Sequence, residues 1–224
     1  MATSMESNLL ATYHIDKDHA DITSFASLAC KGKVSDTEKA LGLYYAVRDQ
    51  IRYNPYSIDP EKPAMKASQI LKKGEGYCVA KAVLLTACAR NQGIPARLGF
   101  ADVRNHLNTK KLREMMGADL FVWHGYSEIY LGEKWVKATP AFNLSLCQNF
   151  NVHPLEFDGI NDSIFHPLDQ KGNRHMEYVA DHGSFIDLPW ERIMAACIKA
   201  YPRYFELLDR NTQDFSKEAL AENL

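Results

Sequence analysis

One thiol and one imidazole, Cys78 and His124, stand in local sequence that suits nucleophilic chemistry. Cys78 lies in "GEGYCVAKAVLLTACARNQGIPAR" (residues 74–97), just after Gly74 and Gly76. It heads a run that is apolar from 79 to 89 except for Lys81 and Thr86. A helix starting at or near Cys78 would aim unpaired backbone N–H groups and a positive dipole end at the sulfur. That favours the thiolate, which is the attacking species. The same N–H groups could hold an oxyanion during acyl transfer. The opposing reading is a core thiol, because free cysteine is among the most buried residue types. Cys88 sits farther along the same run, about 15 Å away at the helical rise. It has no glycines before it and no helix end, and it reads as core.

A thiol nucleophile needs a base, and His124 is the histidine that falls within a well-marked strand, "WHGYSEIY". Side chains alternate there, so His124 shares a face with Tyr126, Glu128 and Tyr130. Glu128 is about 13 Å away along the strand and cannot orient the imidazole directly. If Gly132-Glu133 forms a two-residue turn, Leu131 pairs with Lys134. His124 then faces Ala141, with Thr139 and Asn143 as diagonal neighbours on the same face.

The elements that must position these residues are readable in outline. Residues 35–53 open on Ser35 with Glu38 three residues later, a capping box, and carry an apolar stripe at helical spacing. Pro55, Pro60 and Pro63 make 54–63 a loop. A short helix over 64–74 ends at Gly74. The helix headed by Cys78 stops at Gly93, with Pro95 beyond. Residues 96–103 read as a strand, and 105–117 as loop with a helical turn or two. Residues 120–131 and 134–139 read as two strands joined by a type II′ turn. The stretch 142–172 reads as irregular, 174–179 as a strand, and 189–208 as a helix split by Pro202. Helices, then antiparallel strands, then a closing helix give an α+β class rather than alternating βαβ units.

Composition sets wider bounds. The chain has 224 residues, 46% hydrophobic and 24% charged, with a formal net charge of −2. That balance is globular and gives no electrostatic case for nucleic acid or an acidic membrane surface. No apolar stretch is long enough to span a bilayer, and the first twenty residues lack the pattern of a signal peptide. Five widely spaced cysteines, Cys30, Cys78, Cys88, Cys147 and Cys197, include no CxxC. A reducing, cytoplasmic setting is the simplest context. His153, His166, His175 and His182 lack zinc-type spacing, and no EF-hand loop occurs, so no metal or other cofactor is expected. One domain over 1–224 is expected, and oligomeric state is not readable.

Three segments together resemble the transglutaminase-like (papain-related) superfamily. Residues 66–103 are similar to its nucleophile block, a Gly-x-Cys opening the central helix followed by "GIPAR". Residues 123–140, "WHGYSEIYLGEKWVKATP", are similar to its histidine hairpin. "AVRDQIRYNPY" resembles the preceding helix. The likeness covers roughly residues 36–140, leaving 141–224 as subfamily-specific loops and a closing helix. It implies a papain-like fold, with Cys78 as nucleophile and His124 as general base. The third member is normally an aspartate four residues after the hairpin tryptophan, and counting from Trp135 that position is Thr139. Threonine can accept from an imidazole N–H but carries no charge. Asn143 is the better chemical substitute, since papain-type enzymes use an amide there. Asp158, Asp162 and Asp181 would serve if a loop folds back.

The expected activity is acyl transfer at an amide or ester of a peptide, protein or small molecule. Hydrolysis ranks first, because no feature selecting an acceptor amine is visible. The alternatives are a catalytically silent domain that binds a peptide or partner protein, and a structural metal domain built on the late histidines.

Overall fold

The computed structural model describes residues 5–106, 108–165, 171–172, 176–207 and 214–222. Its helical half begins with α1 (Ala20–Ala29) and α2 (Asp36–Gln50). Ser35 and Glu38 close the expected capping box at the head of α2, each satisfying a free donor of the first turn. A two-residue strand, β1 (Arg52–Tyr53), leads through 3-10 turns to α3 (Ala67–Lys73). Gly74, at φ 70°, ends α3 in the left-handed conformation that glycine tolerates. The chain then passes through β2 (Glu75–Gly76), which pairs with β1, straight into α4 (Cys78–Asn91). Every residue of α4 from Cys78 to Arg90 is buried. Each buried Val or Leu on it contributes roughly 1.5–3 kcal/mol, so α4 is the axis of the core.

The other half is a four-stranded antiparallel sheet. It comprises β3 (Ala96–Asn105), β4 (Leu120–Leu131), β5 (Lys134–Ala138) and β6 (Met176–Phe185), in the order β5-β4-β3-β6. Between its strands lie α5 (Lys110–Met116) and α6 (Leu144–Phe150), and α7 (Trp190–Ala200), α8 (Pro202–Leu207) and α9 (Phe215–Glu222) follow. α4 packs on β4 and β3, giving the helices-on-antiparallel-sheet α+β architecture expected from the sequence. Pro202 divides α7 from α8, as expected.

The expected hairpin register holds, with Leu131 opposite Lys134. The turn is type I′ rather than II′, because Gly132 and Glu133 both have positive φ, 53° and 65°. That backbone twist matches the right-handed twist of the strands. The ladder stops at Ser127–Ala138, so positions 124 and 141 are not paired. Pro140 has no N–H to extend it, and Ala138 takes Ser163 as a parallel bridge partner. α6 lies in a stretch expected to be irregular, and β6 runs well past its expected end. Among the described residues no helix is long and apolar enough to cross a membrane.

Candidate active site

α4 begins at Cys78 itself. Its N-cap residue, Tyr77, makes no side-chain capping bond, so the first amides of the helix have no side chain closing them off. The N–H groups of Gly125, Val79 and Cys78 bear on the sulfur and favour its charged form, but burial outweighs them and pushes the thiol up to about 11. The helix end therefore acts in the direction expected from the sequence without lowering the thiol overall. Gly125, immediately after His124 in β4, permits this contact. A Cβ there would lie 2.8 Å from the Val79 Cα, closer than side-chain carbons approach backbone. Strand and helix terminus touch because residue 125 has no side chain.

His124 is aimed by a defect in the sheet. Ala101 pairs with His124 and Val103 with Phe121, so Val122 and Trp123 together oppose Asp102 alone. This is a β-bulge, a device that re-aims side chains. Trp123 takes a φ of 56°, rare for a bulky residue and costing about 1–3 kcal/mol. Asp102 offsets the strain. Its Oδ1 accepts the Trp123 N–H at 2.9 Å and pairs with His182 Nε2 at 2.7 Å. The His182 ring stacks on Trp123 at 4.3 Å, 2° from parallel. β6 carries a matching irregularity, since Phe100 pairs with Gly183 but Ala101 with Asp181, leaving His182 as the extra residue. The carboxylate of Asp102 thus ties the irregular positions on both sides of the central strand.

The His124 ring is buried against Phe165 (centroids 5.1 Å) and Tyr178 (6.4 Å, edge-on). Burial holds its pKa down at about 4, and no carboxylate among the described residues acts on it. Among the described residues its Nε2 is buried without a hydrogen-bond partner, and so is the Thr139 hydroxyl oxygen. Thr139 lies just past the end of β5, and its carbonyl accepts from the Tyr44 hydroxyl at 3.1 Å.

Asn143 is engaged elsewhere. Its Oδ1 accepts the Tyr53 N–H at 3.1 Å and its Nδ2 donates to Ser145, so the amide joins β1 to the start of α6. The three aspartates considered from the sequence hold backbone instead. Asp158 caps the turn at Ile160 and Asn161, Asp162 accepts from Lys137 N, and Asp181 accepts from Gly183 N. His166 and His175 lie outside the described residues. Among the described residues no group of three or more His, Cys, Asp or Glu is placed to hold a metal.

Cys78 and His124 both line two small cavities, of about 30 and 20 Å³. Each has room for about one or two water molecules. The larger is walled on one side by Ile193 and Cys197 of α7 and by Tyr201. The Tyr201 hydroxyl accepts the Val122 N–H and donates to the Leu120 carbonyl, fastening the end of α7 to the strand that carries His124. The sequence leaves Gly125, Asp102, Tyr178 and this covering helix unassigned. Only Gly125 carries a local signal, a glycine inside a strand otherwise rich in β-formers.

The sequence model of the Transglutaminase-like superfamily matches residues 23–140, which include Cys78, His124 and Thr139. Among solved structures, a candidate cysteine protease from Cytophaga hutchinsonii matches with a TM-score of 0.50 at 16% identity, over 84% of this chain and 48% of that one. A candidate protease from Parabacteroides distasonis gives a TM-score of 0.38 at 14% identity, over 65% and 28% of the two chains. The chain therefore spans about half or less of the length of these structures. No curated protein matches it.

Proposed function

The chain belongs to the transglutaminase-like superfamily, and on that premise we propose that it performs acyl transfer at an amide or ester bond, with Cys78 as nucleophile and His124 as base. The observation that carries this reading is the Gly125 N–H bearing on the Cys78 sulfur. It puts the thiol beside the residue that follows His124, and both side chains line the same cavities. In the proposed step His124 takes the thiol proton as sulfur bonds to the carbonyl carbon. The oxyanion is held by backbone N–H groups at the α4 terminus. The amine or alcohol leaves with the proton from His124. Water, again deprotonated by His124, then cleaves the thioester and releases the acid, so hydrolysis is the first form of the activity. With the thiol up at about 11 and the imidazole down at about 4, the pair is neutral at pH 7. General-base attack, rather than a preformed thiolate–imidazolium pair, suits it. Thr139 is the side chain proposed to face the imidazole from β5's end, ahead of Asn143.

A second reading, a silent domain that binds a peptide or partner protein, is favoured by one feature, the wall of α7 and Tyr201 over the thiol. The two are separated by intact-mass measurement of acyl adducts after exposure to p-nitrophenyl acetate. Acyl transfer predicts a burst adduct on Cys78, absent in Cys78→Ala and slowed at least about 100-fold in His124→Ala, within the usual contribution of a general base. Equal labelling of wild type and His124→Ala sinks it.

A further inference from the structure

The sheet places one more polar group at His124. β3 runs between β4 and β6, and on it Ala101 pairs with His124 while Val103 pairs with Tyr178. Positions 101 and 103 share a face of the strand. His124 and Tyr178 therefore reach the same side of the sheet from the two flanking strands, and their rings meet edge-on. We infer that Tyr178 is a positioning residue for His124, acting through Thr139, so that two hydroxyls stand where a carboxylate is the family's usual third group. This rests on the acyl-transfer reading of Cys78 and His124.

Three observations support it. First, among the described residues His124 Nε2 and Thr139 Oγ1 are both buried and have no hydrogen-bond partner. Buried polar atoms are nearly always paired. The two make no hydrogen bond to one another as placed, but a nitrogen needing an acceptor and an oxygen with free lone pairs are complementary. Second, the Tyr178 oxygen accepts the Phe165 N–H at 3.4 Å, which leaves its own proton to donate. Third, burial keeps the Tyr178 phenol protonated up to about 12, against the smaller opposing pull of the Phe165 N–H and the Thr139 hydroxyl. The phenol is thus a neutral donor throughout the working range.

The bonding that would satisfy all three groups, after a small turn of the Thr139 side chain, runs in one direction. Tyr178 O–H donates to Thr139 Oγ1, and the second lone pair of that oxygen accepts His124 Nε2–H. That fixes the imidazole as its Nε2–H tautomer and leaves the Nδ1 lone pair for the Cys78 proton. Orientation and tautomer are supplied, but no charge is offered to an imidazolium. A carboxylate would supply both.

The test reads the tautomer directly. The full chain is labelled with ¹⁵N-histidine, and long-range proton–nitrogen correlation spectra are recorded at pH 7. His124 is assigned by its loss in His124→Gln. The expected wild-type signature is a protonated Nε2 and a bare Nδ1. Tyr178→Phe keeps the ring packing and removes the donor. It should mix the two tautomers and slow Cys78 acylation by p-nitrophenyl acetate about tenfold. Thr139→Val should do both more strongly. An unchanged tautomer in Tyr178→Phe, with the melting temperature retained, overturns the inference even if Cys78→Ala abolishes acylation. Conversely, if Cys78→Ala acylates like wild type, the acyl-transfer reading fails, while the tautomer still decides the role of Tyr178.

Discussion

The two halves of the site are built by different means. Cys78 is held by backbone, through a helix start, the paired strand at Gly76 and the N–H of Gly125, with no side-chain cap. His124 is held by side chains drawn from distant segments. Asp102 of β3 and His182 of β6 fix the bulge before it, and Phe165 and Tyr178 wall its ring. A site made of backbone tolerates changes in side chains but not in the few glycines that let the chains meet. A site made of side chains can exchange partners without a change of backbone.

The sharpest way to break the first half is Gly125→Ala. The added Cβ would meet the backbone Val79 Cα at 2.8 Å, so strand and helix end must part. Loss of the amide at the sulfur should cut Cys78 acylation about 100-fold, the usual scale for one misplaced catalytic contact. Overpacking should also destabilise the fold by about 1–3 kcal/mol. Full activity in this variant, measured beside its melting temperature, would mean that the strand–helix contact is irrelevant to the chemistry.

The second half breaks more gently. Asp102→Ala removes the acceptor of the Trp123 N–H and the partner of His182, leaving a strained bulge unsupported. Acylation should fall about tenfold through misplacement of His124, and stability by about 1–3 kcal/mol for the orphaned donor. Asp102→Asn keeps an oxygen at that place and should recover most of the rate. If Asn fares no better than Ala, the charge of Asp102 matters rather than its hold on the bulge.

The same contrast explains what the sequence reveals. The capping box, Gly74, the start of α4 and the hairpin register were all legible, because each is a local pattern of turn residues and alternation. The placement of Cys78 at a helix start and of His124 within a strand was legible for the same reason, and the family match ends at residue 140. The base-side supports were hidden. A bulge breaks the period of two, so Asp102 and His182 look like ordinary polar strand positions. β6 is an edge strand exposed over much of its length, which erases the alternation that would mark it. α6 is seven residues long with no side-chain cap bond, below what helix signals reveal. Asn143, chemically the better substitute for the aspartate, is taken up by Tyr53 and Ser145, because the ladder ends at Ala138 before reaching it.

The smallest effect is also the most discriminating, because it moves the base side toward its relatives without touching Cys78. Thr139→Asp would put a carboxylate where the hydroxyl lies. His124 is held down at about 4 by burial alone. An opposite charge within about 4–6 Å raises an imidazole pKa by roughly 1–3. The imidazolium should then form as pH falls through the raised value, and the thiolate beside it should be favoured. Iodoacetamide labelling of Cys78 at pH 6, followed by peptide mass spectrometry, should therefore quicken a few-fold in the variant. In wild type the rate should climb with pH toward about 11 without a low-pH shoulder. The sign for stability follows from the same shift. Above the raised value the new carboxylate is buried beside a neutral ring and costs folding energy. Below it the pair is charged and matched, so the deficit against wild type should shrink as pH falls from about 7 toward 4, between the raised and the wild-type value. A variant no more reactive at pH 6, with a stability deficit constant across that range, would place Thr139 out of reach of His124 and leave the imidazole held by packing alone.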